Sequence, residues 1–477
     1  MLAAAALLTA IVTTDQAALR ASARDSAPPQ SQLWQGEVLE VRGERLDYLQ
    51  VWDHAHERGG YVKATQVKRL ALAPAEAPEL LAVLRFMREA PGAESLGIAI
   101  AAAWLQAAPA ESVRGPEGSE VLDVLGTFAE RLAQRATTGA ASKQGQAALT
   151  AHLDVAGRYG VKFASYEQQG RMRVCYDGEA FRRVLALPAS QPQQKAHAAL
   201  ALTKPECLDP ALQPLQRHEV NLWRAQVLEH VDAAALPAWL QNKLALRRAS
   251  VFATLAYEQA RIDGGGEGQA QRAIVELARV QRGELLEEDA AAYNDAAMRV
   301  NASRWAAVAR PSDAPLTARA SIATERGQPG ETCVLLVDAK HDAANPLARR
   351  CTYALVWTQS ASLNREGNAL ALAVQPIDGW RELWVFRQQR GKWAIDVLPP
   401  ASLQPELGYA EFAGWVPGGQ QLLLAREARG EGKYRRSFEV VSLDSLVAQK
   451  QGGDANSLGQ FQRWADPSWR KMSVAVR

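Results

Sequence analysis

Residues 33–70 constrain this chain more than any other stretch, because their apolar residues recur at a spacing that suits short, half-buried strands. Polar and apolar residues alternate from Glu37 to Arg42 and again from Tyr48 to Trp52, and Gly60, Tyr61 and Val62 follow a turn-rich segment. A period of two puts alternate side chains on one face of a strand. Glycine reaches positive φ at little steric cost, so Arg42-Gly43-Glu44 and Arg58-Gly59-Gly60 read as the turns between these strands. The expectation is a small meander or barrel.

Upstream, Leu19-Arg20 leads into the polar segment Ser26-Ala27-Pro28-Pro29-Gln30, and Trp34-x-Gly36 follows. Together with Tyr48-Leu49-x-Val51 and Gly60-Tyr61-Val62, these residues occur in the order of the bacterial SH3 motifs, and residues 12–70 resemble that family. The family's first loop usually carries Gly-Pro where this chain has Ala27-Pro28-Pro29, so the loop lining the groove differs. The resemblance implies a small SH3-like β-barrel that holds a peptide. On so small a barrel aromatic rings either form the core or line a binding groove, which makes Trp34, Tyr48, Trp52 and Tyr61 the ligand-binding candidates.

At 477 residues the chain is too long for one core and predicts about three domains. Beyond residue 70 the apolar period becomes helical, with Leu80, Leu81, Leu84 and Met87 on one face. Helical patterns follow over residues 79–90, 96–107, 119–135, 143–157, 178–187, 192–202, 216–230, 236–259, 269–282 and 287–309. Residues 71–310 are therefore read as a central all-α array of helix pairs, either a solenoid or an irregular bundle.

Residues 311–477 are β-rich and carry an internal repeat. Gly419, Leu422 and Leu424 lie 52 residues after Gly367, Leu370 and Leu372, and the same offset carries Phe386 to Phe438, Ile395 to Val447, and Leu422 and Leu424 to Val474 and Val476. Each repeat reads as a four-stranded meander. Trp415-Val416-Pro417-Gly418-Gly419 resembles the W-x-P-D-G turn of TolB-type propeller blades, with Gly418 in place of aspartate. Only about two blades fit, so a propeller-like domain and a sandwich of duplicated meanders both stay open. The expected fold class is multidomain α+β: an SH3-like barrel, a helical array and an antiparallel β domain.

The beginning of the chain points to export. Residues 2–12 form a small-apolar run of signal-core length with no Lys or Arg before it, so residues 1–11 are read as a truncated signal segment; the alternative is a strand or helix of the first domain. The run is too short to span a bilayer, and no other stretch is apolar enough. Four cysteines fit an oxidising compartment. Local pairing joins Cys175 to Cys207, both in a helical region, and Cys333 to Cys351 about one hairpin, although four cysteines allow three pairings. No pair has C-x-x-C spacing, which argues against zinc. A net charge of +2 calls for neither nucleic acid nor an anionic membrane surface.

No G-x-S-x-G, H-E-x-x-H, phosphate-cradle or dinucleotide motif occurs. His54-x-His56-Glu57 has metal-compatible side chains, but so charged a hairpin tip reads as a solvated loop, and Glu287-Glu288-Asp289 suits a helix start. The chain is thus expected to have no catalytic residue, metal or cofactor. It reads as a non-catalytic periplasmic, cell-envelope binding or scaffold protein whose SH3-like module holds a cell-wall peptide or an envelope protein partner. The alternative is a cell-wall hydrolase or peptidase, or its accessory subunit, with an unrecognised active site, because modules of the family it resembles often accompany catalytic domains.

Overall fold

The structure, a computed structural model, describes residues 8–168, 170–309, 319–402 and 405–472. It is mixed α+β, with an N-terminal antiparallel sheet, central helices and C-terminal sheets. Two compact units divide the chain, one formed by residues up to 213 with 227–236 and the other by residues 214–226 with 237–477. The helical stretch therefore does not stand apart: its first part belongs with the N-terminal sheet and its second with the C-terminal sheets.

In the first unit, β1 (Thr9–Val12), β2 (Ala17–Arg20), β3 (Pro29–Leu33), β4 (Val38–Arg45), β5 (Tyr48–Asp53), β6 (Arg58–Lys63) and β7 (Val67–Leu70) form one sheet in the order β3-β2-β6-β5-β4-β1-β7. Among the described residues no closed barrel is found. Strand β1 pairs with both β4 and β7, so residues 9–11, assigned from sequence to an export segment, are an interior strand here, with Ala10 and Val12 in the sheet core. Residues 1–7 of that apolar run lie outside the described residues.

Both glycine turns read from sequence move. Gly43 sits at a bulge within the β4–β5 pairing, and β4 continues to Arg45 before turning at Leu46, which takes φ 57°. Gly59 and Gly60 lie inside β6, and the tip is instead His54 to Glu57. A Cβ on Gly59 would sit 3.1 Å from the Trp52 ring directly across the ladder. The glycine makes room for the indole rather than for a turn.

Helices α1 (Ala77–Met87), α2 (Glu94–Ala107), α3 (Ala110–Arg114), α4 (Pro116–Thr138) and α5 (Lys143–Arg158) follow. Ile11 and Leu70 of the sheet share one core with Leu80 and Leu84 of α1, Ile98 and Trp104 of α2, Phe128 of α4 and Leu149 of α5. Next comes a hairpin the helical reading missed, β8 (Phe163–Gln168) and β9 (Arg171–Tyr176), then α6 (Glu179–Ala186) and α7 (Pro192–Leu202). Cys175 is thus on a strand and not in a helix. Its disulfide partner is Cys207, at the end of a short 3-10 turn, as the local pairing expects.

Helix α8 (Pro214–Glu229) contributes residues to both units. The second unit continues with α9 (Ala238–Ile262), α10 (Glu267–Ala278) and α11 (Ala290–Ser303). Strands β10 (Ser321–Arg326), β11 (Thr332–Val337) and β12 (Ala348–Thr352) make a small sheet in which Cys333 and Cys351 face each other across the ladder and are bonded. The repeat then appears as two meanders: β13 (Leu355–Leu363), β14 (Ala369–Ile377), β15 (Trp380–Gln389) and β16 (Lys392–Leu398), followed by β17 (Leu407–Val416), β18 (Gln421–Gly430), β19 (Lys433–Ser442) and β20 (Ala448–Gly452). Short helices α12 (Gly459–Trp464) and α13 (Pro467–Met472) end the described chain.

These layers stack. Leu370 and Leu372 pack with Val334 and Leu336 of β11; Ala369, Ala371 and Val385, on the opposite face, pack with Leu422 and Leu424. Leu423, Ala425 and Phe438 meet Phe461 and Trp469 of the terminal helices. The repeated leucines therefore occupy matching places, each facing the preceding layer. The meanders join through a short parallel contact of Trp380 with Gly408 and Arg381 with Tyr409, and no closed propeller is found among the described residues. The offset fails further on: Phe386 lies opposite Leu370, whereas Phe438 lies opposite Ala425. The β14–β15 hairpin carries a bulge and closes at Ile377 and Trp380, while β18–β19 closes at Gly430 and Lys433. Val447 falls just before β20, and Val474 and Val476 lie outside the described residues. Among the described residues no helix is long and apolar enough to cross a membrane.

Candidate functional site

Strand alternation divides β5 cleanly. Leu49 and Val51 join Val62 in the sheet core, and Tyr48, Gln50 and Trp52 take the other face. Across the ladder Tyr61 lies opposite Gln50, Lys63 opposite Tyr48 and Gly59 opposite Trp52, while Arg20 of β2 pairs with Tyr61 from the other side. Trp52 and Tyr61 are half-buried and Gln50 is exposed, so two ring faces and an amide share one outward surface. The Arg42 guanidinium lies 4.5 Å from the Trp52 centroid and bonds Glu40 at 3.1 Å.

Tyr48 does not join them as a free ring. It is 2 % exposed, and its hydroxyl donates to Asp25 at 2.5 Å. Lys63 reaches the same carboxylate at 2.7 Å. The Lys63 ammonium, then the Tyr48 hydroxyl, hold the Asp25 carboxyl below its usual range, and Asp25 in turn raises both partners.

Trp34 lies elsewhere, past the end of β3, half-buried and edge-on to His152 of α5 with ring centroids 6.5 Å apart. The loop that carries it is clamped. Gly36 adopts φ 87° and approaches α2 so closely that a Cβ there would lie 2.6 Å from the Ser95 carbonyl, while the Tyr159 hydroxyl donates to the Gly36 carbonyl at 2.7 Å. Glu37 accepts from the Trp34 amide at 3.2 Å, and its burial pushes its carboxyl up. Beside the indole opens a shallow cleft of about 420 Å³ lined by Asp15, Gln16, Trp34, Ser142, Gln144, Gly145 and Ala148. Asp15 Oδ1 bonds both His152 Nε2, at 2.8 Å, and the Gln35 amide, at 3.2 Å. Partial burial acts to raise the Asp15 carboxyl, but these two bonds outweigh it and the carboxyl titrates below its usual range.

The histidines of the β5–β6 tip do not pool as ligands. His54 Nε2 engages Glu40 and His56 Nδ1 engages Asp53, each at 2.6 Å, and Asp53 also caps the tip through the Ala55 and His56 amides. Among the described residues the one group of three ligand-type side chains is Glu331, Cys333 and Cys351, whose sulfurs are already joined to each other.

The second unit holds a cluster that sequence reading passed over. Arg381, fully buried, donates to the Asn301 carbonyl at 2.7 Å and pairs with Glu411, whose other oxygen meets Arg304 at 2.9 Å. Burial pulls the Arg381 pKa down to about 10 despite Glu411. Tyr409 donates to Glu427 at 2.9 Å, and burial raises both groups. The signal was charge inside apolar strands, as in Trp380-Arg381-Glu382-Leu383 and Ala410-Glu411-Phe412. Among the described residues Arg304 Nε and Nη1 and Arg381 Nε have no hydrogen-bond partner, and the cluster ties together β15, β17 and the turn after α11.

Comparison with protein-family models, with curated proteins and with solved structures returned no match.

Proposed function

We propose that this protein is a non-catalytic binding or scaffold protein of the bacterial cell envelope, acting in the periplasm, and that its SH3-like N-terminal sheet holds a peptide of the cell wall or of an envelope protein. The observation that carries the reading is the outward face of β5 and β6. Trp52 and Tyr61 are half-exposed there, with Gln50 adjoining both, while the residues alternating with them are spent on the core. Aromatic faces bury apolar peptide groups, and a flanking amide and guanidinium satisfy the peptide's backbone. The motif order of residues 12–70 supports the same reading, and the two disulfides fit an oxidising compartment.

The test is co-sedimentation of the full chain with purified sacculi and capture from envelope lysate. Retention that disappears in the Trp52→Ala, Tyr61→Ala double variant supports the assignment. Unchanged retention removes the site, and release of soluble muropeptides overturns the non-catalytic reading.

A further inference from the structure

Trp34 is near the other aromatics in sequence, yet it faces a different set of residues, and these have a chemistry of their own. The cleft beside it has one aromatic wall, and otherwise little apolar surface beyond Gly145 and Ala148. Its remaining lining is polar: Asp15, Gln16, Ser142 and Gln144. Asp15 is held in place through Oδ1 by His152 and the Gln35 amide, while Oδ2 has no partner among the described residues. His152, 1 % exposed, fixes that carboxylate and also braces the indole edge-on. Gln16 is held at φ 60°, a left-handed conformation that glutamine adopts at a cost, and it too lines the cleft. Ser142 caps α5 by accepting from the Gly145 amide at 3.0 Å, which sets the first turn of the helix against the opening.

Three ligand classes meet this lining differently. An anion is attracted by the start of α5 but repelled by the ionised Asp15. An ammonium is attracted by Asp15 and the indole but opposed by the helix dipole and by Lys143 at its first position. An apolar peptide side chain finds only Trp34, Gly145 and Ala148 to bury against and meets polar groups elsewhere. A neutral polyhydroxylated ring suits all the groups together, because one face of a pyranose presents C–H bonds to an indole while its hydroxyls both donate and accept. The carboxylate accepts, the two glutamine amides do both, and no charge is buried without a partner. The volume falls within the roughly 300–1,000 Å³ of small-molecule sites.

We infer that the Trp34 cleft is a saccharide subsite, separate from the Trp52–Tyr61 face, stacking a neutral sugar ring on Trp34 and hydrogen-bonding its hydroxyls through Asp15, Gln16 and Gln144. A protein with both sites would hold the peptide and the glycan of one polymer.

The probe is a fluorescein-labelled β-1,4-linked N-acetylglucosamine tetramer, titrated with the full-length protein and read by anisotropy. Saturable binding is expected, weakened about tenfold or more by Trp34→Ala, a few-fold by Gln144→Ala, and unchanged by Trp52→Ala. Gln144 is exposed on the first turn of α5, so its variant decides the matter if Trp34→Ala unfolds. No saturation, or wild-type affinity in either Gln144→Ala or a folded Trp34→Ala, overturns the subsite. Displacement of the probe by inorganic phosphate or by butylamine at lower concentration than unlabelled tetramer overturns the ligand class. Because sacculus retention is read at Trp52 and Tyr61, the two proposals fail separately.

Discussion

Each unit contains an arginine laid over an aromatic ring and tied to a glutamate. In the first unit Arg42 lies 4.5 Å from the Trp52 centroid and bonds Glu40, with Arg42 exposed and the ring half-buried. In the second, Arg381 lies 5.6 Å from the Tyr409 centroid and pairs with Glu411, all three buried. The residues are nearly the same; the solvent is not. At the surface water replaces either partner at little cost, so the trio can open. In the interior each charge depends on the other, and the trio can only hold strands together.

The largest effect expected from this contrast is on stability. Glu411→Gln leaves Arg381 and Arg304 buried without a counter-charge and should cost about 3–5 kcal/mol in urea unfolding. The matching Glu40→Gln should stay within about 0.5 kcal/mol. Equal losses would break the comparison.

The cross-links should not contribute to the difference. Each unit has one disulfide, closing separations of 32 and 18 residues, and replacing either pair by serine should cost about 2–4 kcal/mol in its own unit. A loss confined to one unit would mean that its cross-link, rather than its ion pairs, sets the contrast.

The smallest effects are in pH dependence, and they have opposite signs. Asp25, lowered by Lys63 and Tyr48, stabilises the fold above its unfolded value near 3.8 and loses this as pH falls through its folded value. Glu427, raised by burial, keeps its proton longer when folded, so its contribution is complete below 4.5 and is lost as pH rises through the folded value. The melting-temperature advantage of wild type over Asp25→Asn should therefore grow as pH rises from strong acid. Glu427→Gln should instead gain on wild type above pH 4.5. Parallel curves for the two variants would show that burial does not separate the two regions.

Local pattern made much of the fold legible. Alternation located β4 and β5, the helical period located most helices, and the 52-residue offset placed Leu370 and Leu422 in matching layers. Sequence nearness was enough to pair the cysteines, since Cys333 and Cys351 sit on adjacent strands. What failed depended on contacts remote in sequence. Gly59 looked like a turn because nothing local shows that it lies across from Trp52. Tyr48 shares its face with Trp52 but is sealed by its neighbours. The setting of Trp34 depends on His152 and Asp15, which are far apart in the chain and carry no motif.

The central claim is that the outward face of the N-terminal sheet binds a peptide of the envelope, and co-sedimentation of the full-length protein with sacculi, wild type against Trp52→Ala, Tyr61→Ala, tests it most directly. The account predicts saturable retention of wild type that falls at least about tenfold in a variant of unchanged melting temperature. Equal retention of the two proteins, or no retention of either from sacculi or envelope lysate, would contradict it.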